Sequence, residues 1–150
     1  NIKENFNVLF ATDGSSFAQD AAVGIKNYLD YKRADVTVVN VRVPLENILP
    51  QDAYAYADIS KILKESELVS QENVRDAAIA LAQNRFNVVD KHYLEGDPAT
   101  EIIKDAHNNN YDLIVLGSHG KNEFSNFLMG SVSTKVYENS SRSVFIYKKR

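Results

Sequence analysis

Leu113-Ile114-Val115-Leu116-Gly117-Ser118-His119-Gly120 joins an unbroken apolar run to two glycines, and Gly130-Ser131-Val132-Ser133 opens a further segment downstream. A short apolar run cut off by glycine reads as a strand buried on both faces, the kind found inside a parallel sheet. The chain beyond it reads as a connection over 121–129 and then a helix entered at Gly130-Ser131. Two readings of this strand–loop–helix unit stand side by side. Gly117 and Gly120 can let the backbone pass close to a ligand, while the helix start favours an anion and Ser131 and Ser133 add hydroxyls. Alternatively, the stretch is a long turn with a serine cap.

Working outward, Phe6–Ala11, Val36–Val43, Asp112–Leu116 and Ser143–Tyr147 are apolar and β-rich, and the weaker run Val88–Leu94 alternates apolar with polar. In chain order the first, second and fourth of these five are almost continuously apolar at their centres, as strands buried on both faces are. Between them lie helical stripes. Ala18, Ala21, Ala22, Ile25 and Leu29 follow Ser15 or Ser16 as N-cap. Ile59, Ile62 and Leu63 lead into Val74, Ala77, Ala78, Leu81 and Ala82. Ala99, Ile102, Ile103 and Ala106 follow Asp97-Pro98, and Val132, Val136 and Tyr137 follow Gly130-Ser131. Five strands alternating with four helices through right-handed crossovers predict an α/β fold: a doubly wound parallel sheet in a Rossmann-like three-layer sandwich. Residues 1–150 form one domain. The one long irregular segment, Pro44–Asp58, is a lid or a mobile loop.

Composition narrows the function classes. A net charge of −3 offers nothing global to nucleic acid or an anionic membrane. The closing Lys148-Lys149-Arg150 reads as a solvated end. The absence of cysteine excludes disulfides, a thiol nucleophile and thiolate metal sites. Val8-Leu9-Phe10-Ala11 is too short for a leader's apolar core and runs into Asp13, and no apolar run nears the roughly 20 residues of a membrane span. The expectation is a cytoplasmic protein.

In an open α/β sheet, ligands bind outside the carboxyl ends of the strands where strand order reverses. Two loops carry suitable chemistry there: Ala11-Thr12-Asp13-Gly14-Ser15 and the glycine stretch. Asp13 can hold Mg²⁺ or Mn²⁺ beside a phosphate, or Asp13-Gly14 is simply a turn before a capped helix. No G-x-x-x-x-G-K-[ST] occurs, and no G-x-G-x-x-G follows the first strand. His92 and His107 show no metal-ligand spacing and read as surface or structural residues. Asp13, His119 and Ser131 can meet at one site, yet each also has a nucleotide-binding explanation. Glu65, Glu67, Lys61 and Lys64 read as a solvated helix face, and Phe124 and Phe127 as anchors of their loop.

Gly117-x2-Gly120-x9-Gly130-Ser131 resembles the nucleotide-binding signature of the universal stress protein (UspA-like) family. Asn7-Val8-Leu9-Phe10-Ala11-Thr12-Asp13-Gly14-Ser15 resembles its first strand and loop, and Glu95-Gly96-Asp97-Pro98-Ala99-Thr100-Glu101-Ile102-Ile103 its third strand-to-helix junction. The resemblance implies the strand order 3-2-1-4-5, a homodimer joined through the last strand, and ATP or another adenine nucleotide bound with Mg or Mn. It implies that Ala11, Thr12 and Asp13 line the site from strand one, with Asp13 at the metal, and that Val41 meets adenine through its main chain. Leu116, Gly117, His119 and Gly120 would lie against ribose and phosphates. Gly130, Ser131, Val132 and Ser133 would hold the phosphate chain with N–H groups and hydroxyls. Three departures mark this sequence. Ala11 stands where many members have proline, and Asn122–Asn126 is more acidic and polar than the family's linker, leaving Lys121 its only cation. Asn40 replaces a frequent histidine, with no consequence expected for the site.

Three functions compete. The first is a non-catalytic, nucleotide-dependent sensor or regulator of the stress response, whose segment 44–58 or loop 121–129 changes with occupancy. The second is a slow ATPase or phosphotransferase using the same pocket, although no Walker lysine and no arginine near the motifs support it. The third is a nucleotide-free dimeric interaction module.

Overall fold

The computed structural model describes residues 4–56, 58–121 and 129–150. Five strands, β1 (Phe6–Ala11), β2 (Ala34–Arg42), β3 (Asn87–Glu95), β4 (Leu113–Gly117) and β5 (Ser143–Tyr147), form one parallel sheet in the order β3-β2-β1-β4-β5. The three runs with continuously apolar centres are the three central strands, β2, β1 and β4. The alternating run became an edge, β3, and β5 is the other edge. Strand order reverses between β1 and β4, so the switch point lies where the sequence places its two chemically suited loops.

The four expected helices are α1 (Ser16–Gly24), α3 (Ile59–Gln83), α4 (Pro98–Asn108) and α5 (Ser131–Asn139), with a one-turn helix α2 (Gln51–Tyr54) inside the segment expected to be irregular. Side chains alternate across each strand, so the sheet feeds two apolar layers. Val8, Phe10, Val36, Val38 and Val115 pack toward α1 and α3 with Ala22, Val74 and Leu81. Leu9, Val39, Ile114 and Leu116 pack toward α4 and α5 with Ile102, Ala106 and Val136. Leu9, Phe10, Ile25, Leu81 and Ile114 are fully buried, each contributing about 1.5–3 kcal/mol through the apolar surface removed from water.

Local chemistry sets the helix starts. Ser15 caps α1 by accepting the Ala18 N–H at 3.1 Å, Asp58 caps α3 through Lys61 N–H at 3.2 Å, and Asp97 caps α4 through Thr100 N–H at 3.0 Å. The first helix stops earlier than its apolar stripe. At Gly24 a Cβ would sit 2.2 Å from the Tyr147 ring of β5, and a 3₁₀ turn over 25–27 follows. Leu29 still packs against the core.

A register shift between Val36 and Thr37 in the β2–β3 ladder turns Asp90, His92 and Leu94 onto the face that meets α4. There His92 Nδ1 lies 2.7 Å from Asp105 Oδ2, and Nε2 lies 3.2 Å from Asp90 Oδ2. A neutral imidazole carries only one N–H, so two carboxylate partners call for the charged ring. Burial works against that charge, but the hydrogen bond and attraction of Asp105, and then those of Asp90, outweigh it and raise the His92 pKa. His92 is therefore a structural tie between an edge strand and α4, as expected of it. His107 is exposed in the last turn of α4. Among the described residues, no group of three or more potential metal ligands assembles and no helix is long and apolar enough to cross a membrane.

Candidate functional site

A cavity of about 130 Å³ opens at the carboxyl ends of β1, β2 and β4. Ala11, Thr12 and Asp13 reach it from the end of β1, Val41 from β2, and Leu116, Gly117, His119 and Gly120 from β4 and its loop. Val132 and Ser133 reach it from the first turn of α5. The residues singled out from the sequence thus converge on one space, except that Gly130 and Ser131 stand at the head of α5 outside its lining. Sequence reasoning missed Ala18, Val39, Pro98 and Ile102, which complete the walls. Pro98 and Ile102 belong to the quoted Glu95–Ile103 stretch but were read only as a helix entry and its stripe. The walls are mainly aliphatic and the polar groups gather on the two loops, a pattern that suits a flat apolar ring joined to an anionic group.

The first loop is held by its own hydrogen bonds. Thr12 N–H donates to Val39 O at 2.9 Å, extending the β1–β2 ladder past the strand. Thr12 Oγ1 accepts the Gly14 N–H at 3.1 Å, and Asp13 Oδ1 accepts the Ser15 N–H at 2.9 Å. Gly14 has φ +77°, and a Cβ there would also strike the Asn73 side chain; this position needs glycine for the turn itself. Asp13 Oδ2 accepts the Lys121 N–H at 2.9 Å, joining the β1 loop to the loop after β4. The turn reading of Asp13-Gly14 is thus correct as geometry, and Asp13 also lines the cavity.

The glycine stretch divides its labour differently from the expectation. A Cβ on Gly117 would lie 2.7 Å from the Phe17 carbonyl carbon and 2.9 Å from Ala18 N. What requires glycine here is the backbone of α1, not only room for a ligand. At the far end, the Ser118 carbonyl accepts both the Gly130 N–H at 2.6 Å and the Ser133 hydroxyl at 2.9 Å. That hydroxyl also lies 3.1 Å from Gly130 O. Two donors expected to face phosphate are therefore already engaged within the chain. Gly130 is the N-cap of α5 and supplies no side-chain cap, which corrects the alternative of a serine cap.

His119 is buried, its Nδ1 2.9 Å from Ser118 Oγ and its ring 4.9 Å from that of Phe17. Ser133 bonds backbone carbonyls and Asp13 accepts backbone N–H groups. These contacts hold the loops. On the outer wall, Lys135 Nζ lies 2.8 Å from Asp97 Oδ2 and joins α5 to the cap of α4. Lys135, followed by Thr100, lowers the Asp97 carboxyl to about 2. Phe124, Phe127 and the Asn122–Asn126 segment lie outside the described residues.

Asn40 overturns the expectation that it is without consequence here. Its Nδ2 donates to Thr12 O at 2.8 Å and its Oδ1 accepts the Ser70 hydroxyl at 2.7 Å. Asn73, one turn along α3, donates to Asp13 O at 3.2 Å. The available signal was an amide within Val38-Val39-Asn40-Val41, because a polar group buried in a central strand must find partners.

Residues 4–148 match the model of the universal stress protein family. A universal stress protein of Methanocaldococcus jannaschii, MJ0531, is 30% identical over 95% of this chain and 81% of its own length. The solved structure of another protein of that organism, MJ0577, superposes with a TM-score of 0.76 at 24% identity, covering 98% of both chains. A universal stress protein solved in complex with cAMP superposes at 0.62, with 21% identity over 95% of this chain and 96% of its own. A family member from Arabidopsis thaliana solved with AMP bound superposes at 0.69, with 13% identity over 97% and 92%.

Proposed function

This chain belongs to the universal stress protein family, and on that premise we propose that it binds ATP or another adenine nucleotide in the switch-point cavity as a non-catalytic regulator. The observation that carries this reading is the convergence of Ala11–Asp13, Val41, Leu116, Gly117, His119, Gly120 and the first turn of α5 on one largely aliphatic space. In this reading the aliphatic walls take the base. The loop after β4 and the start of α5 take ribose and phosphate, as the dipole of a helix start favours an anion. The cAMP and AMP held by two structural relatives support the ligand class.

Asp13 would hold Mg²⁺ or Mn²⁺. Its Oδ1 accepts the Ser15 N–H and its Oδ2 the Lys121 N–H, a pattern that keeps a lone pair on each oxygen for a hard cation, and it is the only carboxylate among the described lining residues. Such a cation needs phosphate oxygens for the rest of its shell, and it would supply charge neutralisation there. The open edge of β5 suits pairing with a second copy, and the reading includes a homodimer formed through that strand.

Purification, denaturation and identification of any released small molecule test the reading, together with calorimetric titration of ATP, ADP, AMP and cAMP with and without Mg²⁺. Near-stoichiometric release or saturable uptake of one of them is expected. No release and no uptake of any of the four would refute it.

A further inference from the structure

We infer that Asn40 is a positioning residue for the nucleotide site, acting from the opposite side of the sheet through the backbone of Thr12. The inference rests on the adenine-nucleotide reading of the cavity. Along β2, Val39 and Val41 face the cavity and the α4–α5 layer, whereas Val36 and Val38 face α1 and α3. Asn40 follows the latter parity, and its bond to Ser70 of α3 confirms the side. It therefore does not line the cavity, and a ligand there is reached only by way of what Asn40 holds.

What it holds is the main chain of the first loop. Thr12 O is purely an acceptor, so the atom facing it at 2.8 Å must be the amide nitrogen, which leaves the amide oxygen for the Ser70 hydroxyl. Asn40, Ser70 and Thr12 are 5%, 3% and 7% exposed, so water does not compete for these bonds. Asn73 adds a second tie from the same helix to the next carbonyl, that of Asp13. Asn40 of β2, backed by Ser70, and Asn73 of α3 thus grip two consecutive carbonyls of the loop, and the Asp13 carboxylate carries the constraint on to Lys121.

An apolar residue at position 40 would take this donor from the buried Thr12 carbonyl, a main-chain group that no substitution replaces, so the amide has a part in stability. The amide does something that an aliphatic residue cannot: it fixes where Thr12 and Asp13 stand relative to β4. A ligand bound between the β1 and β4 loops is sensitive to that spacing, since misplacement of a binding group forfeits contacts without unfolding the protein.

The test compares nucleotide Kd for wild type, Asn40→Asp, Ser70→Ala and Leu81→Ala, at a temperature where melting curves show each fully folded. Asn40→Asp keeps the acceptor for Ser70 but sets a carboxylate against the Thr12 carbonyl. Ser70→Ala leaves the amide in place and frees its far end. Leu81→Ala destabilises the same helix from its apolar face, outside the polar network. The expected result is a Kd raised about tenfold in Asn40→Asp, the scale of one buried hydrogen bond. A smaller rise is expected in Ser70→Ala and none in Leu81→Ala. Hydrogen exchange in the nucleotide-free protein should show the Ser15 and Lys121 amides losing protection in Asn40→Asp alone. If Asn40→Asp does not fold, Ser70→Ala against Leu81→Ala decides the matter in the same terms. Unchanged Kd in the polar variants, or equal weakening in Leu81→Ala, would overturn the positioning role while nucleotide binding stands. A wild-type protein that takes up no nucleotide would instead overturn the reading of the cavity, and this inference with it.

Discussion

Gly117→Ala separates two reasons for a glycine at the heart of the signature. If the residue served only to admit a ligand, a methyl group would leave the nucleotide-free protein untouched. In this fold the methyl carbon would sit 2.7 Å from the Phe17 carbonyl carbon, 2.8 Å from its oxygen and 2.9 Å from Ala18 N. All three are main-chain atoms at the start of α1, so no side-chain rotation relieves the contact; the helix or β4 must shift. Intrusions of that kind cost about 1–3 kcal/mol. The loss of freedom in the unfolded chain on replacing glycine returns about 0.4–1 kcal/mol. At mid-range the balance is a net loss of about 1.3 kcal/mol, which for a chain of this length lowers the melting temperature by about 3–5 °C. Calorimetry on protein stripped of nucleotide, checked by urea midpoints, measures it. An unchanged melting temperature in stripped Gly117→Ala would refute the packing argument and return the glycine wholly to the ligand.

Other expectations follow from the same contacts. Gly130 has φ −79° and ψ 172°, a conformation open to any residue, so Gly130→Val should keep the fold and lose nucleotide binding; circular dichroism and titration check it, and an unfolded variant refutes it. Asp13→Ala removes the acceptor for the Ser15 and Lys121 N–H groups and should abolish the Mg²⁺ dependence of nucleotide affinity; a persisting dependence places the cation elsewhere. The pKa of His92 is raised in the fold, so its contribution to stability is full below the unfolded value of about 6.5. It is lost as pH rises through the higher folded value. The urea-midpoint gap between wild type and His92→Asn should therefore be widest at acidic pH and close as the solution becomes alkaline, and a gap that is flat with pH refutes the imidazolium tie.

Much of the fold was legible because burial on two faces leaves a plain mark: Val8-Leu9-Phe10 and Leu113-Ile114-Val115-Leu116 carry no polar interruption, and they became neighbouring central strands. What escaped lay in three dimensions. The Tyr147 ring that leaves no room for a Cβ at Gly24 comes from more than a hundred positions away. The short helix α2 is exposed and leaves no periodic stripe to read. In the site, the loop residues were legible through glycine spacing and family likeness. Pro98 and Ile102 were hidden because the crossing of α4 over the sheet decides which of its side chains reach the cavity. Asn40 is the instructive case. Read as a substitution at one position it carried no meaning, whereas its place in an otherwise apolar strand already demanded a donor and an acceptor nearby.

The Ser118 carbonyl, with Gly130 N–H and the Ser133 hydroxyl both upon it, has a bearing on how such a chain can diversify. It ties together the two ends of the stretch between β4 and α5, so strand and helix keep their places whatever residues intervene. Lengthening a loop closed at its root is cheap, about 0.6 kcal/mol for each doubling. The interval between Gly120 and Gly130 is accordingly a natural insertion point. A reporter peptide, or the different linker of a relative, spliced there should leave the sheet undisturbed, because the tie at its root is kept.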